Sequence, residues 1–463
     1  MDPRTRALLE GPIAPTLLRL AVPNMLVLLA QAAAGLVETY FVGKLGTDAL
    51  AGMALVFPTV MLMQMMSSGA MGGGIASAVA RALGAGKRDE ANAVVIHALV
   101  IAVGFGIAFT VAMLALGRPL FAAMGGKGAS LEAAVTYSTW VFSGAVLAWI
   151  LNSLAAAIRG TGNMAMPAIV TSVGVVVLLP LSPALIFGWG PIPPLGIAGG
   201  AIALVLYYAG GVVALALWLR TPRSMLRPSL RRGQLRAHIF RAILRVGLTA
   251  MLVSLSTNLT IIVGTALAGH FGPAAVAGYG TGARLEYLLV PLVFGLGAPL
   301  VAMVGTNLGA GQRERALRCA WVGGALAFAI AEAIGLAAAL FPQAWLRLFD
   351  SDPTMLEAGT RYLQIVGPVY GFFGLALSLY FASQGAARLR WPLIGNLARL
   401  ALASGVGWAA IALGGSLAMV FAAQAVALVA SGLVNAATIA MGAWFGPLVA
   451  SSAWSPFRKR PST

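Results

Sequence analysis

Long apolar runs, each closed by charged residues or a Gly/Pro cluster, recur twelve times along this chain. A helix that crosses a bilayer needs about 20 mostly apolar residues, and the runs reach that length at 15–42, 48–80, 90–116, 131–157, 164–187, 196–219, 246–269, 274–307, 315–341, 356–384, 391–413 and 417–447. Composition agrees. Of 463 residues, 60% are hydrophobic and 9% charged, against about 45–50% and 25% in soluble domains. The sequence therefore predicts an all-α membrane protein with twelve transmembrane helices.

The charges orient it. Lys and Arg number 30 against 13 Asp and Glu, a net charge of +17. With the N-terminus inside, one set of loops holds Arg81, Lys87 and Arg88, then Arg159, the stretch 220–245, Arg313, Arg315 and Arg318, Arg388 and Arg390, and finally Arg458, Lys459 and Arg460. The other set holds Lys44, Arg118, Lys127 and Arg347, with Arg361 near a helix end. The positive-inside rule then places both termini in the cytoplasm of a cell-membrane protein. Residues 220–245 carry eight arginines and no acid, broken by Pro222, Pro228 and Gly233. They form a linker between residues 1–219 and 246–463, and fixing topology explains them better than recognition of anionic lipid. No soluble domain is left to present a basic face to nucleic acid. Residues 1–10 are not followed by a short apolar core and cleavage site, so the first helix is expected to be retained. Cys319 is the single cysteine, which excludes an intrachain disulfide framework. No His/Asp/Glu cluster has metal-ligand spacing and no loop has the Gly-Lys-Ser/Thr that cradles phosphate. No metal, cofactor or catalytic residue is expected.

The two halves repeat each other. Leu83-Gly84-Ala85-Gly86 recurs as Leu308-Gly309-Ala310-Gly311, and Leu131-Glu132 with Tyr137 recurs as Leu356-Glu357 with Tyr362, both 225 residues on. Arg159-Gly160 with Pro167 maps onto Gln384-Gly385 with Pro392 at the same offset, while Gly46, Ala51 and Gly52 match Gly272, Ala277 and Gly278 at 226. Six helices per half is an even number, so the halves are predicted to be parallel lobes related by a pseudo-two-fold axis along the membrane normal, the plan of a transporter with a cavity between its repeats.

Several motifs stand in a set order along the chain: Pro23; Glu38 with Phe41-Val42-Gly43-Lys44-Leu45-Gly46; the two Leu-Gly-Ala-Gly turns; Arg159-Gly160-Thr161-Gly162-Asn163; and Leu185-Ile186-Phe187-Gly188 leading to Leu195-Gly196. By these the chain resembles the multidrug and toxic compound extrusion family over nearly its whole length. The loop Ala82-Leu83-Gly84-Ala85-Gly86-Lys87-Arg88 lacks the Gly-x-x-x-Asp-Arg pattern of the major facilitators. The resemblance implies export of amphipathic, mainly cationic small molecules against inward proton or sodium flow. There are departures. The family's first-helix acid is usually Asp, and here it is Glu38. The Asn and Asp that its proton-coupled branch carries in helix 5 align with Leu178 and Ser182, and helices 7 and 10 lack the interior acids of the sodium-coupled branch.

Three acids fall at membrane depth, Glu38, Glu286 and Glu332. An acid there costs about 2.5–3.5 kcal/mol on insertion scales and normally faces a cavity or a partner. Asn24, Gln31 and Glu38 are spaced by seven and share one helix face. Glu38 aligns with Gly264 and Glu286 with Val60, so neither acid belongs to the repeated scaffold. Both are candidates for coupling protons or cations; for Glu286 an ion pair with Arg399 is the alternative, Arg284 being two residues away and off its face. Glu332 is expected to pair with a basic residue. Thr354 and Glu357 have capping-box spacing. Gln64 lies among Met61, Met63, Met65, Met66 and Met71, flexible side chains that suit varied ligands or simply fill a bundle. The expected cavity lining is Asn24, Gln31, Met61, Gln64 and Met65, with Asn258 and Tyr279 from the second half. The chain is expected to act as a monomer among membrane lipids. A lipid-linked oligosaccharide flippase of the same superfamily is the first alternative, although its cavity would be cationic. A membrane-embedded enzyme is the second, and it lacks paired aspartates, a His-Glu-x-x-His or a Ser/His pair.

Overall fold

A computed structural model describes residues 2–191, 193–229, 235–349 and 351–445. Arg231, Arg232, Asp350, Arg458, Lys459 and Arg460 lie outside them. After a short helix Pro3–Glu10, the long helices are α1 (Ile13–Gly43), α2 (Thr47–Gly84), α3 (Arg88–Ala123), α4 (Gly128–Ser143 and Ala145–Gly160, bent by 47°), α5 (Ala165–Phe187) and α6 (Ile197–Arg220). They continue as α7 (Ala237–Gly269), α8 (Pro273–Gly309), α9 (Arg313–Leu340), α10 (Pro353–Gly385), α11 (Arg390–Ala412) and α12 (Leu417–Ala440). Among the described residues, ten helices are individually long and apolar enough to cross a bilayer; the bent α4 adds another, and α1 holds the apolar stretch Ile13–Leu29. Side chains such as Leu26, Val176, Ile262 and Leu413 stay 62%, 66%, 62% and 85% exposed. Apolar surface on that scale suits contact with lipid.

Two compact units divide the chain within α7 and α8: residues 1–251 with 301–312, and residues 252–300 with those from 313 onward. In the first, Trp149 is fully buried and stacks on Phe105 with centroids 4.9 Å apart. In the second, Tyr279, Tyr362, Tyr370 and Phe421 are buried together.

Several helix ends differ from the sequence reading, each for a local reason. α7 begins at Ala237, not 246. Ile239, Ile243 and Val246 are 2%, 0% and 2% exposed at helical spacing, so Arg241 and Arg245 ride the outer face of an amphipathic turn. α3 runs past 116 to Ala123, through Pro119, and Arg118 on that extension meets Glu132 at 2.6 Å. α12 stops at Ala440 rather than 447, where Gly442 turns the chain at φ 81°. α10 starts at Pro353, and its cap is Asp352, whose Oδ1 accepts from the Met355 N–H at 2.9 Å. The expected Thr354–Glu357 box does not form: Thr354 donates to Asp352, and Glu357 pairs with Arg361 at 3.2 Å.

Candidate functional site

In the first unit Glu38 is 8% exposed on α1. Its Oε1 accepts a hydrogen bond of 3.4 Å from the Tyr137 hydroxyl of α4, and Gly200 of α6 lies against the same oxygen. Among the described residues no ion pair reaches Glu38. Gln31, two turns earlier, meets the hydroxyl of Tyr207, also on α6. Asn24 is half-buried on the same helix. The stripe expected from sevenfold spacing thus presents at least Gln31 and Glu38 toward α6.

Gln64 is the hub of a second polar group in this unit. Its Nε2 donates to the Tyr208 hydroxyl at 2.9 Å, and its Oε1 accepts from Asn152 Nδ2 at 2.9 Å. Asn152 also donates to Ser67 at 2.8 Å. The next residues, Met65–Met71, form a π-helical segment, a local widening common at functional sites. The methionines divide: Met63 and Met71 are fully buried filler, whereas Met61 and Met65 are 40% and 38% exposed.

In the second unit Glu286 Oε2 lies 3.6 Å from Arg399, and Oε1 accepts from the Tyr362 hydroxyl at 3.2 Å. These groups line a cavity of about 60 Å³ with Tyr279 and Gln424. Among the described residues, Arg399 Nε and Gln424 Nε2 are buried beside it without a hydrogen-bond partner, and the space and donors suit a small polar guest such as water. Tyr279 stacks on Phe421 at 6.2 Å. A Cβ at Gly264, the repeat equivalent of Glu38, would strike the Tyr279 hydroxyl, so aromatic bulk fills the place that the acid holds in the first half. Arg284 instead lies over the Phe349 ring at 5.4 Å. Asn258 turns its amide to the Ser254 carbonyl of its own helix at 2.9 Å.

Glu332 has a partner of another kind. Its Oε2 accepts from the Gly371 N–H at 2.7 Å, where the 3-10 turn Gly367–Val369 breaks α10 and frees backbone amides that a lipid environment cannot satisfy. The expected basic partner is replaced by a helix break. Sequence reasoning also passed over Tyr137, Asn152 and Tyr208 as site residues. Only Tyr137 left a signal, as the repeat match of Tyr362.

A buried carboxylate held by one phenol, inside a multi-pass bundle of apolar helices, can exchange a proton or a small cation. The MatE family profile matches residues 23–184 and again 249–409, the same displacement of about 225 that the turn motifs show. The chain belongs to that family, whose members are transporters and not enzymes. It is 30% identical to the FAD transporter of Shewanella oneidensis, over 85% of this chain and 87% of that one. It is 26% identical to the probable multidrug resistance protein NorM of Thermotoga maritima, over 82% and 81%. In fold it is similar to a MOP superfamily transporter from Pyrococcus furiosus, with a TM-score of 0.85 at 24% identity, covering 94% of this chain and 96% of that one.

Proposed function

We propose that this protein exports amphipathic organic compounds, mainly cations, by antiport with protons or sodium through alternating access. Glu38 carries the coupling. The observation that supports this is the isolation of its carboxylate: buried, bonded to the Tyr137 hydroxyl, and without an ion pair among the described residues. Ionised, it attracts a cation; neutralised by a proton or occupied by sodium, it does not. Coupling ion and cargo therefore oppose each other's binding reciprocally. Glu286 is held by Arg399, so the second acid serves as a fixed charge before it serves as a carrier. One proton in for one monovalent cation out is electroneutral, and each uncompensated charge adds about 2.3 kcal/mol per 100 mV. The site works in the cell membrane with both termini in the cytoplasm, in a single chain.

A second reading comes from the relative named a FAD transporter: export of an anionic flavin dinucleotide. Proteoliposomes loaded with either a fluorescent organic cation or FAD, under the same imposed gradient, separate the two. Gradient-driven loss of the cation alone is the expected result. Loss of FAD alone replaces the cargo assignment, and the lipid-linked sugar flippase reading gains only if neither moves.

A further inference from the structure

Where α2 ends, α3 begins and α7 begins, the first unit holds a second cavity, of about 320 Å³. That volume lies at the lower end of the ligand-pocket range of about 300–1,000 Å³. Arg81 enters it from the last turn of α2, Lys87 from the turn that follows and His238 from the first turn of α7. Ala82, Ala85 and Ala242 keep the walls short. Glu90 is the single acid, 3.6 Å from Lys87, so two full cations and a histidine converge against one carboxylate. Arg81 also donates to Ser77 of its own helix, which orients its guanidinium.

The surroundings add to the positive potential. Described residues of the linker meet α3 at three points: Arg88 Nε donates to the Met225 carbonyl at 2.8 Å, Asn92 Oδ1 accepts from the Arg227 N–H at 2.8 Å, and His97 Nε2 accepts from the Arg236 N–H at 2.8 Å. His97 Nδ1 lies 2.7 Å from the Ala93 carbonyl, which fixes the ring against its own helix. The backbone of Arg227 and of Arg236 is thereby held beside α3.

We propose that this cavity binds a phosphate group, seated on the Arg81 fork with Lys87 and His238 closing over it. A guanidinium matches two phosphate oxygens at once, and a compact ammonium supplies the third contact. The same phosphate chemistry is offered by an anionic lipid headgroup of the adjacent leaflet and by a soluble phosphate compound. This site is separate from Glu38 and its network, with which it shares no residue.

The test uses the full chain in detergent, with short-chain phosphatidylglycerol, the matching phosphatidylcholine and inorganic phosphate as probes, read by native mass spectrometry and by titration at two salt concentrations. Phosphatidylglycerol binding that survives over phosphatidylcholine, falls with salt and drops about fivefold in Lys87→Gln is the expected result. His238→Gln weakens it as well, and Lys87→Glu abolishes it. Lys87 and His238 are exposed and their replacements leave the helix packing intact; Arg81→Gln removes the anchor and is read only where it folds. Binding of phosphatidylglycerol without inorganic phosphate assigns the lipid as source, and binding of inorganic phosphate without lipid selectivity assigns a soluble one. Absence of binding by either probe, or affinities unchanged in Lys87→Glu and His238→Gln, overturns the proposal.

Discussion

Tyr137 and Tyr362 occupy equivalent positions of the internal repeat, and each donates its hydroxyl to an acid that the repeat does not share, Glu38 at 3.4 Å and Glu286 at 3.2 Å. The phenol is shared by the two halves and the carboxylates are not, one standing on α1 and the other on α8. What differs is compensation. Arg399 stands 3.6 Å from Glu286, and among the described residues no such cation pairs with Glu38. The two halves therefore hold the same donor over carboxylates of opposite availability.

The ion pair in the second unit predicts a non-additive cycle. Arg399→Met leaves a largely buried carboxylate uncompensated and is expected to cost up to about 3–5 kcal/mol. Adding Glu286→Gln should recover most of that. Thermal unfolding of the four proteins in detergent measures the coupling; additive losses would show the pair to be inert.

Gly84 and Gly309 are also repeat equivalents. A Cβ at Gly84 would strike the Thr306 carbonyl, and one at Gly309 the Arg81 carbonyl, positions that are again 225 apart. Small residues allow this close backbone approach. Gly84→Val and Gly309→Val are each expected to destabilise by about 1–3 kcal/mol. Gly104→Ala, whose Cβ would meet nothing within 4 Å, should leave the unfolding temperature nearly unchanged.

Asn152→Ala removes the donor shared by Gln64 and Ser67. Leaving those acceptors unsatisfied is expected to cost about 1–3 kcal/mol, and Asn152→Leu, of similar size and with no donor, should fail to rescue it. Equal stability of all three proteins would mean that the network contributes nothing.

At the start of α10 the Thr354 hydroxyl, and then the Met355 N–H, hold the Asp352 carboxyl below its ordinary value of 3.8. A depressed acid stabilises the fold above its unfolded pKa, and the gain is lost as pH falls through the folded value. Asp352→Ala should thus lower the unfolding temperature at neutral pH, with the difference from the unmodified chain shrinking under strongly acidic conditions.

Much of the fold was legible because apolar length and charge placement act locally. The span 196–219 and the observed Ile197–Arg220 differ by one residue at each end. Glu38 and Glu286 stood out because a carboxylate in an apolar run is costly wherever it lies. Their partners did not. Tyr208 and Asn152 reach Gln64 from 144 and 88 residues away, and no local pattern marks them. Glu332 shows the same limit from another side. Its partner is a backbone amide made available by a break in α10, and an amide has no letter in the sequence. The early start of α7 was hidden by the arginines on its outer face, which resemble a linker until the buried Ile239 and Ile243 are seen beneath them.

Coupling of export to ion entry through Glu38 is read out by efflux of a fluorescent organic cation from proteoliposomes under an imposed pH gradient without sodium, comparing the unmodified chain with Glu38→Gln, Tyr137→Phe and Glu286→Gln. Gradient-driven efflux is expected, abolished in Glu38→Gln, slowed in Tyr137→Phe and largely kept in Glu286→Gln once folding is matched. Movement that appears only with sodium would transfer the coupling ion while keeping the residue. Undiminished gradient-driven efflux in Glu38→Gln would remove Glu38 from the coupling.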